Sequence, residues 1–281
     1  MDMDGDAKPD FLVTRTCSSL AGADPDVGEL KWLVYNNTGT GFATAPSAWP
    51  LPQDYANGFC SSPQGDTYCD SYNGYGRPAY STFDLNGDAR PDFVVSKTCS
   101  TLAGADPDVG KLYWRLYANT GTGFAASPAN WSLPQGYAKG FYNKPAGDTY
   151  CDSYNGYGRP AYATVDLDDD LRPDFVVLDT CSSLQGSDPA VGSAYWLLYE
   201  NNGTGFSAVA KQWCLPQGYA KGFYHALSGD TYCDSYNGYG RPAYATFSLT
   251  GSGRDDFVVT KTCSTLLGSD PDVSVTKWVV Y

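Results

Sequence analysis

Residues 65–95 read GDTYCDSYNGYGRPAYSTFDLNGDARPDFVV, and this stretch returns along the chain with few changes. Its first 16 residues, Gly65–Tyr80, recur letter for letter as Gly147–Tyr162 and Gly229–Tyr244, at steps of 82 residues. A fixed period is typical of repeat proteins, in which each repeat forms one structural unit and neighbouring units stack. We therefore interpret the whole chain as copies of one unit.

The seven Trp residues support this interpretation, because each falls at one of two positions of the unit. They are Trp32, Trp114, Trp196 and Trp278 at one position, and Trp49, Trp131 and Trp213 at the other. The 281 residues thus hold about 3.4 copies. We divide this single repeat domain into a partial first repeat with a Tyr- and Cys-rich insert (1–77), two full repeats (78–159 and 160–241) and a partial fourth repeat (242–281).

Four strands are predicted in each unit. In the second repeat they are Ala79–Asp84, Asp92–Thr98, Lys111–Asn119 and a fourth within Phe124–Leu133. Four short antiparallel strands at a fixed period predict an all-β, β-propeller-like array of four-stranded blades, with Trp and Tyr packed between neighbouring blades. A blade of half this length is the alternative division, although the two halves of the unit do not resemble each other.

The two ends of the chain supply incomplete units. The N-terminal end carries strands two to four, and Phe247–Tyr281 carries strands one to three. These sets overlap, so they would not close a ring by sharing one blade. We expect either a segment of a longer protein or assembly through other chains, because unpaired sheet edges invite pairing.

Composition and charge narrow the class of protein. The net charge of −13 argues against binding to nucleic acid, which needs clustered Lys and Arg. No apolar run approaches the roughly 20 residues that a membrane-spanning helix needs. An acidic chain of this kind suits a protein that carries cations.

The nine cysteines form two in-register sets, with Cys60 and Cys214 outside both. The spacing predicts the disulfide pairs Cys69–Cys99, Cys151–Cys181 and Cys233–Cys263, each stabilising the fold by roughly 3–4 kcal/mol in the chain-entropy model. This register leaves Cys17 unpaired. The alternative register begins with Cys17–Cys69 and leaves Cys263 unpaired. Either register predicts a secreted, extracellular or cell-surface protein, whereas buried free thiols in a cytosolic protein are the other reading.

Three acidic loops have the spacing of a site for a hard cation, which prefers six to eight oxygen ligands. Carboxylates occupy alternate positions, Gly at the fourth position permits a sharp turn, and a carbonyl at the seventh and a carboxylate at the ninth complete the set. The predicted ligands are Asp2, Asp4, Asp6, the Lys8 carbonyl and Asp10; Asp84, Asn86, Asp88, the Arg90 carbonyl and Asp92; and Asp166, Asp168, Asp170, the Arg172 carbonyl and Asp174. Ca²⁺ is the predicted ion, with Mg²⁺ and a metal-free acidic turn as alternatives.

The fourth copy of the loop lacks most of these carboxylates. Its positions hold Ser248, Thr250, Ser252 and Asp256, so we expect no ion at Ser248–Asp256. The third copy has Asp169 where the first two have Gly, and Asp tolerates the left-handed conformation at some cost.

The run Asp84-Leu85-Asn86-Gly87-Asp88, continued by Asp92-Phe93-Val94-Val95, Trp114, Tyr117 and Asn119-Thr120-Gly121, resembles FG-GAP/VCBS-type repeats. That family includes the calcium-binding blades of integrin α-subunit propellers and some lectins. The resemblance covers the first half of each unit and not the Tyr- and Cys-rich insert. It implies an extracellular β-propeller with structural calcium in its hairpins, used for adhesion or glycan binding.

The insert Asp66–Arg77 and its copies hold the candidate ligand-binding residues, since aromatic rings stack on sugar faces and polar groups bond hydroxyls. These are Tyr68, Asp70, Tyr72, Tyr75 and Arg77; Tyr150, Asp152, Tyr154, Tyr157 and Arg159; and Tyr232, Asp234, Tyr236, Tyr239 and Arg241. The alternative is that these rings pack the blade seams. A second candidate, the loop Ala105–Val109, also reads as a solvated turn.

No catalytic set emerges, so we do not expect an enzyme. The lone His225 does not recur in the repeats, and no pair of carboxylates outside the loops stands out. Two functions remain: a secreted calcium-binding module for recognition or adhesion, with glycan or protein partners, or a structural block of an extracellular fibre, sheath or self-assembling layer. Sequons at Asn36, Asn130 and Asn202 permit glycosylation.

Overall fold

The computed structural model describes residues 1–54, 79–99, 102–134, 161–181, 186–216, 218, 243–247, 249, 255–264 and 266–281. Over these residues the chain forms 14 β-strands and no helix. It therefore has no helix there that could cross a membrane. The all-β prediction is confirmed for this part of the chain.

The strands make four antiparallel sheets. The first sheet contains β1 (Phe11–Val13), β2 (Lys31–Tyr35) and β3 (Ser47–Pro50). The second contains β4 (Ala79–Phe83), β5 (Asp92–Lys97), β6 (Tyr113–Tyr117) and β7 (Ala129–Ser132). The third contains β8 (Ala161–Val165), β9 (Asp174–Asp179), β10 (Tyr195–Tyr199) and β11 (Lys211–Cys214). The fourth contains β12 (Ala243–Phe247), β13 (Asp256–Lys261) and β14 (Val279–Val280).

Each sheet follows the chain as a simple meander, with consecutive strands as neighbours. The two three-stranded sheets hold the strands that the incomplete end units were predicted to supply. Each four-stranded sheet lies inside one predicted repeat. The four-repeat division and the propeller-like arrangement of the sheets stay predictions.

All four strands of the second repeat are shorter than predicted, β4 and β5 by one residue each and β6 and β7 by more. β6 begins at Tyr113 rather than Lys111, because the Lys111 and Leu112 N–H groups donate to the Asp108 carbonyl in a turn. It ends at Tyr117, before a turn closed by Thr120 N–H donating to the Gly123 carbonyl at 2.9 Å. β7 is likewise confined to Ala129–Ser132 within the predicted range.

By chain contacts the protein divides into two compact units, Met1–Leu133 with Tyr142–Pro145 and Gly203–Gly205, and Pro134–Phe141 with Ala146–Asn202 and Phe206–Tyr281. In the first unit the core joins the first two sheets. Its buried members are Met3, Trp32, Val34, Trp49, Leu51, Tyr80, Phe93, Val95, Val109, Tyr117 and Phe124. The Trp32 ring lies 5.9 Å from both Phe93 and Phe124, so Trp packs between neighbouring sheets as predicted.

In the second unit the core joins the third and fourth sheets in the same way. Its buried members are Ala163, Leu167, Val176, Leu178, Trp196, Leu198, Leu215, Tyr244, Val259 and Val273. The Trp196 ring lies 6.0 Å from Phe257 and 6.5 Å from Tyr244. The same repeat position thus supplies the same aromatic packing in both units.

Cys99, Cys181 and Cys263 are completely buried and disulfide-bonded, with partners outside the described residues. Cys17 and Cys214 are exposed and free. A free Cys17 and a bonded Cys263 match the first pairing register and not the alternative one. The pairings with Cys69, Cys151 and Cys233 themselves stay predictions.

Candidate metal centres in the hairpin loops

The three acidic loops lie where the sequence places them, one immediately before β1, one between β4 and β5, and one between β8 and β9. The fourth position of each loop has the left-handed backbone that a sharp turn needs, with φ of 81° at Gly5, 80° at Gly87 and 66° at Asp169. The sixth position is left-handed too, at Ala7, Ala89 and Leu171. That second feature was not predicted, because these residue types seldom adopt positive φ.

The first carboxylate of each loop organises the turn. In the second loop, Asp84 Oδ1 accepts hydrogen bonds from the Gly87 N–H at 2.7 Å and the Asp88 N–H at 3.1 Å. Asp84 Oδ2 accepts one from the Ala89 N–H at 2.7 Å. Asp2 and Asp166 make the same three bonds in their own loops. These bonds explain how residues such as Ala89 are held at positive φ.

The carboxylate at the ninth position of each loop connects the loop to the end of a more distant strand through hydrogen bonds. Asp92 is completely buried. Its Oδ2 atom accepts a hydrogen bond from the Leu85 N–H at 3.2 Å, and its Oδ1 atom accepts one from the Asn119 N–H at 2.9 Å, just after β6. Asp10 and Asp174 repeat both bonds. This structural role was not predicted from the sequence.

Of the predicted carboxylate positions, the fourth loop retains an Asp only at the ninth, and the structure gives a reason. Asp256 Oδ2 accepts a hydrogen bond from the Leu249 N–H at 2.9 Å, which reproduces the Asp92–Leu85 bond. The carboxylate thus makes the same backbone hydrogen bond in the fourth loop as in the second. Ser248, Thr250 and Ser252 lie outside the described residues, so the expected absence of an ion there stays a prediction.

Burial has the largest effect on the pKa of the carboxyl group at the ninth loop position. It raises the pKa of Asp92 to about 6, although the N–H groups of Asn119 and Leu85 act in the opposite direction. It also raises the pKa of Asp174 to about 6, against the N–H groups of Asn201 and Leu167. A bound dication would favour the ionised form of both groups and lower these pKa values.

Two of the loops bring three carboxylates together. In each group, one oxygen atom from every member lies within 4.8 Å of the others, so each group could hold a metal ion. The groups are Asp2, Asp4 and Asp10, and Asp166, Asp168 and Asp174. We call them the first and third carboxylate clusters.

The second loop has the same backbone with one less charge. Asn86 stands where the clusters have Asp4 and Asp168, and its Oδ1 atom accepts the Asp88 N–H at 2.9 Å. The equivalent bond in the first loop runs from the Asp6 N–H to Asp4 Oδ1 at 3.2 Å. The second loop therefore offers two carboxylates and one amide oxygen.

The carboxylate at the fifth position of each loop forms an ion pair with the basic side chain at the seventh position. Asp6 Oδ2 lies 2.7 Å from Lys8 Nζ, and Asp88 Oδ2 lies 2.8 Å from Arg90 Nη2. Asp170 pairs with Arg172 in the same way. These carboxylates at the fifth position are not members of the first and third carboxylate clusters. Their role as ligands stays a prediction, as do the carbonyl ligands of Lys8, Arg90 and Arg172.

The third carboxylate cluster contains a buried oxygen atom without a hydrogen-bond partner, Asp168 Oδ1. Burial raises the pKa of Asp168 above its ordinary value, and the charges of Asp170 and Asp166 add to the increase. The charge of Glu200 raises the same pKa further, whereas the backbone N–H of Asp170 acts in the opposite direction. Neighbouring carboxylates of this kind attract a cation, and a bound cation would lower the pKa again.

Glu200 was missed in the sequence, although the repeat could have revealed it. It lies two repeat lengths after Asn36, whose Nδ2 atom donates to Asp4 Oδ2 at 2.7 Å. The first cluster thus has a neutral amide at this place. The third has a carboxylate, which also pairs with Lys211.

The second candidate loop, Ala105–Val109, is a structural turn. Asp106 Oδ2 accepts hydrogen bonds from Tyr113 Oη at 2.7 Å and Arg115 Nη2 at 2.8 Å. Thr98 Oγ1 donates to the Asp106 carbonyl at 2.6 Å. The hydrogen bonds from Tyr113, Asp108 and Arg115 outweigh the effect of burial and hold the pKa of Asp106 below its ordinary value.

Several predicted residues lie outside the described part of the chain. They are the fifteen candidate ligand-binding residues of the insert copies (Tyr68 to Arg77, Tyr150 to Arg159 and Tyr232 to Arg241) and His225. Their roles stay predictions. Of the three sequons, Asn130 and Asn202 are exposed, whereas Asn36 is occupied by its bond to Asp4.

Comparison with known proteins does not identify a family, since no family model matches the chain and no curated protein matches it. Among solved structures, the Photorhabdus luminescens Tc holotoxin pore is 13% identical with a TM-score of 0.39, covering 90% of this chain and 8% of its own. An Agrocybe aegerita lectin, described as recognising non-reducing terminal N-acetylglucosamine, is 18% identical with a TM-score of 0.33, covering 82% of this chain and 41% of its own. Likenesses at these scores carry no argument about function.

Proposed function

We propose that the chain is a calcium-binding repeat module that serves recognition or adhesion outside the cell. The hairpin loops would hold structural Ca²⁺ ions, and the sheets would be blades of a propeller-like array of the FG-GAP/VCBS type. Glycans or extracellular proteins are the proposed partners. We do not propose an enzymatic function, because the sequence contains no recognisable set of catalytic residues.

One observation carries the metal part of this proposal. Asp168 Oδ1 is buried without a hydrogen-bond partner, inside a group whose other members are Asp166 and Asp174. A buried acceptor left unsatisfied costs about 1–3 kcal/mol, and more when it is charged. A dication bound among these oxygens would remove that cost and the repulsion between the carboxylates.

The donor set favours calcium over other ions. It consists of oxygen atoms only, on a loop that turns tightly at Asp169 and Leu171. Ca²⁺ accepts six to eight oxygens in a flexible geometry, whereas Mg²⁺ requires a near-ideal octahedron and retains more water. The chain's own residues would do the structural work here, since Asp174 joins the loop to the strand end at Asn201.

Calorimetric titration with Ca²⁺ and with Mg²⁺, after removal of metal by a chelator, tests this proposal. We expect calcium to bind and to raise the midpoint of urea unfolding, and Asp168→Asn to weaken binding at one site. Asp108→Asn is the matched control, since Asp108 is exposed and lies outside the three acidic loops. Absence of calcium binding by the wild-type protein would reject the proposal.

The recognition part needs its own experiment. A glycan array probed with calcium and with chelator should give hits that depend on calcium, because the loops would order the blades that carry the binding surface. An array without hits in either condition, together with normal calcium binding, would leave a purely structural repeat as the better account.

A further inference from the structure

The first sheet carries three aromatic side chains on one face, Phe11, Tyr35 and Phe42. The Phe11 ring centroid lies 6.0 Å from that of Tyr35 and 5.7 Å from that of Phe42. We call this group the first aromatic trio. Phe11 belongs to β1, Tyr35 ends β2, and Phe42 lies in the following loop.

The second sheet has an equivalent trio, and there the structure contains what covers it. Phe93 lies 6.3 Å from Tyr117 and 5.3 Å from Phe124. The Trp32 ring of the preceding sheet approaches Phe93 and Phe124 at 5.9 Å each. Tyr80 of the same sheet stacks on Phe93 at 4.6 Å. A trio is therefore a surface that receives a Trp ring from a neighbouring sheet.

Among the residues that the structure describes, no Trp ring covers the first trio in this way. Phe11 is 51% exposed and Phe42 is 52% exposed, whereas their equivalents Phe93 and Phe124 are 0% and 9% exposed. Exposed rings that are normal core residues elsewhere in the same repeat mark an interaction surface.

The fourth sheet has the complementary surface, an exposed Trp ring. Trp278 occupies the repeat position of Trp32 and Trp196, and it is 53% exposed, whereas those two are 0% and 1% exposed. Trp196 shows the use of this position in the second unit, where it packs 6.0 Å from Phe257 of the next sheet. Trp278 is thus an exposed Trp ring at the repeat position that packs on an aromatic trio, and no trio in the described part of the chain receives it.

We infer that the first aromatic trio is a docking surface for a second copy of this chain, whose Trp278 ring takes the place that Trp32 takes on Phe93 and Phe124. The interface is head to tail, because it joins two different surfaces of the same molecule. Such interfaces generate rings or open filaments rather than twofold dimers. The inference does not depend on metal binding by the loops.

The second copy is the occupant that the chain itself specifies. The surfaces of two neighbouring sheets already match each other in both units, through Trp32 in the first and Trp196 in the second. The net charge of −13 opposes association of two copies, so the contact should strengthen as salt screens the repulsion.

Sedimentation velocity over a range of protein concentrations, up to about 1 mM, tests this inference. The buffer holds about 0.15 M NaCl, with calcium in one arm and chelator in the other. We expect the wild-type protein to form species larger than a dimer as concentration rises. Phe42→Ala and Trp278→Ala should each weaken association by at least about tenfold, as expected for an aromatic residue at the centre of an interface. Leu267→Ala is the control, since Leu267 is 79% exposed and lies outside both surfaces.

Mixing the two variants separates a head-to-tail contact from other arrangements. The Phe42→Ala protein keeps its Trp278 surface, and the Trp278→Ala protein keeps its trio. Their equimolar mixture should therefore form a one-to-one dimer and nothing larger. Circular dichroism checks that each variant is folded, and Trp278→Phe, which retains an aromatic ring, should restore part of the association.

Three results would overturn the inference. The wild-type protein could remain a monomer at every concentration. The Trp278→Ala variant could associate as strongly as the wild type. The single variants could form dimers by themselves, which would indicate a contact between identical surfaces.

Discussion

The Oδ1 atom of Asp92 accepts a hydrogen bond from the backbone N–H of Asn119 at 2.9 Å, across 27 residues of sequence. The same bond joins Asp10 to Asn37 at 2.9 Å in the first repeat. It joins Asp174 to Asn201 at 2.9 Å in the third. The ninth loop position is thus both a member of the candidate metal site and the link between that loop and the sheet.

We expect Asp92→Asn to destabilise the protein by about 2–3 kcal/mol even in chelator. The amide keeps only one acceptor atom, so one of the N–H groups of Leu85 and Asn119 would lose its partner. Urea unfolding followed by circular dichroism measures the change. Asp108→Asn should change the stability by less than about 0.5 kcal/mol. Equal effects of the two substitutions would contradict this role for Asp92.

The pH dependence of stability should have opposite signs without and with calcium. Without metal, the pKa of Asp92 and that of Asp174 lie at about 6, above the value of 3.8 for an unperturbed Asp. The folded state then binds more protons than the unfolded state between these values. This contribution is complete below about pH 4 and is lost as the pH rises through 6, at about 2–3 kcal/mol for each carboxyl.

Calcium should reverse this trend, because it binds the ionised carboxylates and competes with protons. Unfolding midpoints from pH 4 to pH 7, measured in chelator and in calcium, test both signs. A single trend shared by the two conditions would show that the buried carboxylates are not linked to metal binding.

Asn86→Asp should be a gain of function. It gives the second loop the third carboxylate that Asp4 and Asp168 supply in the two clusters, on a backbone with the same hydrogen bonds. Because calcium affinity increases with the number of charged ligands, we expect the second loop to bind roughly tenfold more tightly. Calorimetric titration measures this change. An unchanged affinity would mean that the second loop does not bind calcium.

Trp32 and Trp278 occupy the same repeat position in different surroundings, so one substitution gives two outcomes. Trp32 is completely buried against Phe93 and Phe124, and Trp32→Ala should cost about 3–5 kcal/mol. Trp278→Ala should cost the isolated chain less than about 1 kcal/mol, since half of the side chain is exposed. Thermal unfolding at low protein concentration compares the two. Similar losses would contradict the packing described for the first unit.

Much of the fold could be predicted from the sequence because the repeat fixes where the strands and loops lie. The four strands of each unit, the incomplete sheets at both ends and the positions of the loops followed from the spacing of the Asp and Trp residues. The errors lie at strand ends such as Lys111 and Leu112. There the N–H groups bond to the Asp108 carbonyl in a turn instead of to a neighbouring strand. The periodicity of the sequence does not predict such a turn.

The candidate site could be predicted only in part, because its chemistry depends on residues far apart in sequence. The Asp92–Asn119 bond and the approach of Glu200 to Asp168 need the folded sheet. The pairing of Asp6 with Lys8 is local, but the spacing of the acidic residues alone does not indicate it. The left-handed backbone at Ala89 likewise depends on bonds to Asp84 that residue type alone does not indicate.

Calorimetric titration of the chelator-treated protein with calcium tests the central claim most directly. The account predicts saturable binding with two tighter sites, at the first and third carboxylate clusters, and weaker binding at the Asn86 loop. Asp168→Asn should remove or weaken only one of the tighter sites. No heat of calcium binding in the wild-type protein, with no change in its unfolding midpoint, would contradict the account.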